Sequence, residues 1–412
     1  MKYRIFNIGI RGATLLIKFL LVLCLAAFMP PEDIGLYGLI TVTVSYSIYF
    51  LGFEFYTYST RNLVGRPNSE WPTLISTQIM FFGIMYLIMI PLMSFIFIFG
   101  LIPLKFLLGF IVLIILQHLS SELTRLLIVM ERPLLATIII FVKQALWAVF
   151  LIIGMWLFPV VRNIEALLVF WIIGVGLAII IGVRPLLSLD WRLSTIRPDW
   201  KWVKRGVWVA LPLLLSTIAA RALFTFDRYA FEAFNGLALL GAYSVYMSIA
   251  AAMLAFMESG VFMFFYPKMI KAYKNKDSAG FSSAYKALVK QSFIWMSLLL
   301  IIMAIVVPII FSLLHESIYS ENITLFYGIL VAMVIFLIGY IYQYALYTTS
   351  RDKIIIFANI TGFIVAAILV LIFGHYYPYW SVTGAMIFGC VISSLIKYGK
   401  WLSIKQILLN RA

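Results

Sequence analysis

Apolar residues run through this chain in long unbroken stretches, among them 138–158 and 298–314, separated by short segments that hold Pro, Gly and charge. The stretches lack both the strict alternation of a half-buried strand and the single apolar stripe of a soluble helix. A helix needs about 20 apolar residues to cross about 30 Å of hydrocarbon, whereas a barrel strand is about 10 residues of weak alternation. The stretches are therefore read as helical spans. Cutting at polar and Pro/Gly breaks predicts about twelve of them, near 7–29, 34–58, 74–100, 104–130, 134–158, 163–187, 207–231, 238–266, 288–314, 322–349, 354–375 and 380–402. The longest connections are 188–206 and 267–287. The expected architecture is an all-α integral membrane fold with two six-helix, pseudo-symmetric lobes around a central cavity. Residues 1–187 form the first lobe, 188–206 a basic interfacial linker that holds Trp191, Trp200 and Trp202, and 207–412 the second lobe.

Composition supports lipid as the solvent for this surface. The 412 residues are 64% hydrophobic and 11% charged, against about 45–50% and about 25% in ordinary soluble chains. The start of the chain resembles a signal peptide, with a basic end and an apolar run. Arg11 and Lys18 interrupt that run, and Phe28-Met29-Pro30-Pro31 follows it. It is read as a retained first span. Cys24 and Cys390 both fall in predicted spans and suggest neither a disulfide framework nor a zinc site.

Charge gives an orientation. Alternate connections collect nearly all the loop cations: Lys2 and Arg4, Arg61 and Arg66, Arg132, Arg184 to Arg205, Lys268 to Lys290, Arg351 and Lys353, and Lys397 to Arg411. The opposite side holds Lys105 and Arg162. Basic loops stay in the cytoplasm, which predicts cytoplasmic termini. A basic face beside anionic lipid also accounts for most of the net charge of +15 without invoking nucleic acid.

The two halves echo each other. Gly35-Leu36-Tyr37 opens the second span and Gly241-Ala242-Tyr243 lies near the start of the eighth. Each span then reaches a glycine, Gly52 or Gly260, and a cation, Arg61 or Lys268. Six spans per half keep both repeats in the same direction, so the repeat is expected to be parallel, with its axis along the membrane normal.

Charges inside spans are the candidate chemistry, because each is costly there and such residues mark transport paths. Arg11, within snorkelling reach of the headgroups, and the deeper Lys18 are seven residues apart on one helical face with Thr14 between them. Lys143 is deep in the fifth span and Arg221 deep in the seventh. His118, Glu122 and Arg125 share a face of the fourth span at i, i+4 and i+7. Glu122 and Arg125 read either as a neutralised packing pair or, with His118, as a proton relay, since histidine exchanges protons near neutral pH. Asp227 and Arg228 read as a pair at headgroup level, and Glu258 as a carboxyl without a local partner. The deepest positions are cationic, so the expected solute is anionic, held by Arg11, Lys18, Arg221, Lys143 and Arg125. Glu258, Glu122, Asp227 and His118 are the candidates for ion or proton coupling. Catalytic constellations, metal-ligand spacings and phosphate-cradling GxxxxGK[ST] loops are not found in the sequence, so no enzyme, cofactor or metal is expected.

Pro30-Pro31-Glu32-Asp33-Ile34-Gly35-Leu36-Tyr37-Gly38 resembles the segment after the first helix of polysaccharide-exporting flippases. Gly206, Pro212, Ser216, Asp227-Arg228-Tyr229 and Gly241-Ala242-Tyr243 extend the likeness to the second half. The superfamily resembled also contains multidrug antiporters and lipid II flippases. The short loops and cationic interior look most like the Wzx-type O-antigen flippases of the bacterial inner membrane. That resemblance implies alternating-access transfer of an undecaprenyl-diphosphate-linked oligosaccharide to the periplasmic leaflet, with proton antiport as the implied drive. It also implies partnership with the polymerase and chain-length regulator of the same pathway. A multidrug antiporter of the same fold and a membrane polymerase or acyltransferase are the alternative readings.

Overall fold

The structure is a computed structural model that describes residues 2–64, 66–67, 69–189, 191 and 198–409, with the side chains of 2–5, 8, 216, 220 and 405–409 also left aside. Part of the expected linker, including Arg192 and Arg197, lies outside the described residues. The described chain is helical throughout: α1 Lys2–Phe28, α2 Pro31–Gly52, α3 Tyr56–Leu63, α4 Trp71–Ile98, α5 Leu107–Val129, α6 Pro133–Phe141, α7 Trp147–Leu157, α8 Ile164–Val183, α9 Trp200–Met257, α10 Met263–Lys274, α11 Ser278–Ser312, α12 Ile318–Glu321, α13 Ile323–Thr348, α14 Asp352–Phe373 and α15 Pro378–Leu409. Among the described residues 12 segments are long and apolar enough to cross a membrane.

Local chemistry explains where helices start. Proline sits in the first turn of α4 and α6, where its missing N–H costs nothing. Asn163 Oδ1 accepts the Ala166 N–H at 2.9 Å, and Asp277 Oδ1 accepts the Gly280 N–H at 2.8 Å, capping α8 and α11. The second span stops earlier than the apolar pattern suggests. Phe53 and Glu54 adopt left-handed φ of 51° and 53°, which ends α2 and starts α3 on a new course. The predicted connection at 267–287 shrinks to a turn, because α10 and α11 continue as helices beyond their most apolar stretch. Gly236, with φ 78° and ψ 171°, breaks α9 between the predicted seventh and eighth spans. Two stretches loosen to a π-helix, Val142–Leu146 between α6 and α7 and Glu258–Phe262 between α9 and α10.

By contacts the chain divides into two compact units, residues 1–29 with 36–218, and residues 30–35 with 219–412. In the first unit α1 packs along α6 and α7, and α5 packs against α8. An aromatic cluster joins the ends of its helices: Phe55 lies 4.8 Å from Phe81 and 5.1 Å from Trp202, centroid to centroid. Trp202 and Val203 are buried in that cluster, which is why the first turns of α9 group with the first unit.

In the second unit α15 packs against both α13 and α14, and α11 against α10 and α13. The Gly-x-Tyr echo has a physical basis here. A Cβ on Gly35 would collide with the Leu237 carbonyl oxygen, and one on Gly241 with the Pro31 carbonyl oxygen. The two glycines therefore let the first turn of α2 and the 237–241 stretch of α9 meet backbone to backbone. This contact groups residues 30–35 with the second unit.

Candidate functional site

The first unit gathers four of the sequence-predicted residues around α5. His118 is wholly buried, and its Nδ1 lies 2.6 Å from the Tyr86 hydroxyl on α4. The Phe82 ring meets the imidazole edge-on at 4.6 Å between centroids. His118 Nε2 has no hydrogen-bond partner among the described residues and points toward Glu122 Oε1 at 3.8 Å. Gly52, the last residue of α2, leaves room for this ring, because a Cβ there would stand 2.7 Å from Nε2. Glu122 accepts from Gln78 Nε2 at 3.0 Å and is ion-paired with Arg125. The Arg125 guanidinium also lies 3.4 Å from the centre of the Tyr56 ring, a cation–π contact.

Lys143 belongs to the same neighbourhood. It sits in the π-helical Val142–Leu146 stretch, is 7% exposed, and donates to Ser121 Oγ at 3.1 Å and Ser120 Oγ at 3.4 Å. A π-turn inserts an extra residue and re-aims the side chains around it, which is why such turns recur at functional sites. Two hydroxyls satisfy part of the ammonium, which has no carboxylate hydrogen-bonded to it among the described residues.

Arg11 and Lys18 stand apart from this cluster. Both are exposed on α1 and have no hydrogen bond or ion pair among the described residues. Thr14 does not join them as expected. It is buried, and its hydroxyl donates to the Ile10 carbonyl at 2.8 Å, within its own helix. The polar stripe of α1 is therefore two cations, without the hydroxyl.

The second unit holds the other three. Asp227 is 2% exposed, so the expected pair with Arg228 is buried within the protein. It accepts from the Tyr243 hydroxyl at 2.9 Å and is ion-paired with Arg228 at 3.3 Å. The Phe231 ring stacks on Tyr243 at 4.3 Å and helps to close this site. The tyrosine of the repeated Gly-x-Tyr thus anchors a buried carboxylate. Glu258, expected to lack a partner, has Arg221 as its charged neighbour, and Tyr340 faces both. Glu258 opens the second π-helical stretch.

The structure adds one residue that the sequence hides. Lys397, counted among loop cations, lies inside the Pro378–Ile404 span, is 2% exposed, and donates to Gln343 Oε1 at 2.9 Å. Its position seven residues below Cys390, on the same face of α15, is the only trace of this in the sequence. No group of His, Cys, Asp and Glu suited to holding a metal occurs among the described residues.

No family model matches the sequence, and no curated protein matches it. Solved structures do match. An inward-facing multidrug resistance MATE family transporter of the MOP superfamily aligns at TM-score 0.78 and 13% identity over 98% of this chain and 99% of its own. The lipid II flippase MurJ, in an inward closed conformation, aligns at TM-score 0.76 and 13% identity over 98% of this chain and 91% of its own. A MOP superfamily transporter from Pyrococcus furiosus, described as having a binding pocket of reverse polarity that suggests a different function, aligns at TM-score 0.58 and 13% identity, covering 98% and 93%. The expected fold class is therefore observed: this is an all-helical, multi-pass membrane chain with the fold shared by MATE transporters and the lipid II flippase.

Proposed function

We propose that the chain is a flippase for an anionic, lipid-linked oligosaccharide. The single observation that carries this reading is Lys18. It lies at the middle of the 20-residue Gly9–Phe28 span, exposed and without a hydrogen-bond or ion-pair partner among the described residues. A charge at that depth needs water or a counter-ion, and costs about 2.5–3.5 kcal/mol in hydrocarbon even on the lenient insertion scale. The accessible charge is mainly positive: Arg11, Lys18 and Arg221 are exposed, with Glu258 the exposed acid beside Arg221, whereas Asp227 is buried and Glu122 largely so, each against an arginine. Diphosphate is the anionic group of a membrane-anchored glycan that suits such cations, bidentately at arginine and as a point charge at lysine.

In this reading the solute is an oligosaccharide on undecaprenyl diphosphate, of the O-antigen type. It moves from the cytoplasmic to the periplasmic leaflet of a bacterial inner membrane by alternating access. Arg11, Lys18 and Arg221 take the diphosphate along its path, with Lys143 and Arg125 in support. Glu258, Glu122, Asp227 and His118 carry the coupling protons. Both termini lie in the cytoplasm, and the pathway's polymerase and chain-length regulator act on the product. The MATE likeness supports a second reading, an exporter of amphipathic cations on the same fold.

A deletion strain complemented with variants separates the two. Lys18→Ala, inserted at normal levels, is expected to lower export of the glycan about tenfold or more, as for a lost charged hydrogen bond of about 1.5–3 kcal/mol. Lipid-linked repeat units then accumulate inside, and Lys18→Arg restores export. Full export by Lys18→Ala would overturn the reading. Loss of drug resistance with an unaltered glycan would assign the second.

A further inference from the structure

The first unit contains a cavity of about 200 Å³ beneath α3, between α4, α5 and α8. Its walls are apolar, with Leu123, Leu126 and Val183 among them, and at one end it meets Gln78, Glu122 and Arg125. Two of its lining residues, Ile79 and Leu119, are exposed at 55% and 36% on spanning helices, which puts them between the cavity and the outer surface. A dry apolar cavity of about 150 Å³ already admits benzene, so this one has room for a short hydrocarbon chain.

The polar end selects the head of such a guest. Glu122 accepts from Gln78 Nε2 and from one Arg125 nitrogen, which leaves Gln78 Oε1 and the other guanidinium N–H groups without hydrogen bonds among the described residues. Gln78 and Arg125 therefore keep one acceptor and several donors, while the Ser59 and Thr60 hydroxyls in the same lining donate to the Tyr56 carbonyl. A carboxylate head has no donor for Gln78 Oε1 and faces Glu122, and an ammonium head has no acceptor for the Arg125 N–H groups and faces their charge. A hydroxyl suits both vacancies, since it donates one hydrogen bond and accepts another.

We propose that this cavity is a binding site for an uncharged single-chain amphiphile with a hydroxyl head. The chain enters from the lipid between Ile79 and Leu119. The hydroxyl donates to Gln78 Oε1 and accepts from Arg125. The site shares Glu122 and Arg125 with the flippase reading, but its test reads labelling of the purified protein and not export, so the two can fail separately. Because its polar end is the Glu122–Arg125 pair, an occupant also shields the buried carboxylate beside His118 from water.

Photolabelling of the purified full-length protein tests this, with 1-octanol carrying a diazirine in its chain as the probe. Peptide mapping is expected to place the label on Ile79, Leu119, Leu123 or Val183. Unlabelled octanol is expected to compete, and octanoate and octylammonium to compete about tenfold more weakly, as charged heads facing a like charge. Ile79→Trp, at a half-exposed position that tolerates bulk, is expected to reduce labelling about tenfold by closing the entrance. Arg125→Gln is expected to abolish the preference for hydroxyl over plain hydrocarbon. Equal labelling of the exposed Leu108 and Ile180, or equal competition by all three heads, would overturn the proposal. The competition series needs only the wild-type protein, so a variant that does not fold leaves the test intact.

Discussion

At the residue scale, the Glu122–Arg125 pair shows what a buried charge needs in lipid. Glu122 is 12% exposed on its side chain and leans on one arginine and one amide. Removing Arg125 leaves the carboxylate with Gln78 alone. Arg125→Ala is therefore expected to destabilise the protein by about 3–5 kcal/mol, the cost of breaking a buried pair from one side. Adding Glu122→Gln removes the stranded charge and is expected to recover most of that loss. Thermal unfolding of the two single variants and the double variant in one detergent measures the coupling. Additive losses would show the pair to be energetically idle. The sequence places His118, Glu122 and Arg125 on one face because their spacing is helical. It cannot place Gln78 or Tyr86 there, since both come from α4 and their role depends on how two helices meet. Lys397 is missed for a different reason. Near the end of a span, one turn separates a headgroup lysine from a buried one, and the apolar pattern does not resolve that turn.

At the scale of elements, the repeat glycines separate into structural classes that the sequence treats alike. Gly35 and Gly241 each face a backbone carbonyl, which has no rotamer to move away. Gly260 faces only the Phe256 ring, at 3.5 Å or more. Gly241→Ala is therefore expected to cost about 1–3 kcal/mol or more through overpacking. Gly260→Ala is expected to be neutral or mildly stabilising, by up to about 1 kcal/mol from helix propensity. The yield of monodisperse protein and the melting temperature of both variants test the contrast, and equal behaviour would contradict it. The spans themselves were legible because twenty apolar residues have few other fates. Their interruptions were not. Neither Val142–Leu146 nor Glu258–Phe262 carries a proline or any other local signal for a π-turn within it that ordinary spans lack, yet these turns hold Lys143 and Glu258. The end of α2 at Gly52 was likewise hidden, because Phe53 and Glu54 are not residues that announce a left-handed backbone.

At the scale of the whole molecule, the structure sharpens the charge asymmetry on which orientation rests. Lys105 and Arg162 are the cations of the sparse side. Lys105 is ion-paired with Glu165 at 2.6 Å, and Arg162 donates through Nε to the Met155 carbonyl at 2.7 Å. Of these two cations only Arg162 therefore keeps an unbalanced charge among the described residues. The α10–α11 turn instead carries Lys271, Lys274 and Lys276, all exposed and without ion-pair partners among the described residues. Each lysine at an anionic surface contributes about 1 kcal/mol, so three of them outweigh the opposite side. Single cysteines placed on a background lacking Cys24 and Cys390 read the outcome. Asn275→Cys is expected to react with a membrane-impermeant maleimide only in inverted vesicles. Val160→Cys, 79% exposed in the wild type beside Arg162, is expected to react in intact spheroplasts. The reverse pattern would turn the molecule over in the membrane, and with it the direction in which Arg11 and Lys18 first meet a lipid-linked anion. Labelling of both sites from one side would show instead that the number of crossings between them is even. Because residues 161–274 join the two sites, that result would locate the fault in the spans around Gly236, where α9 breaks.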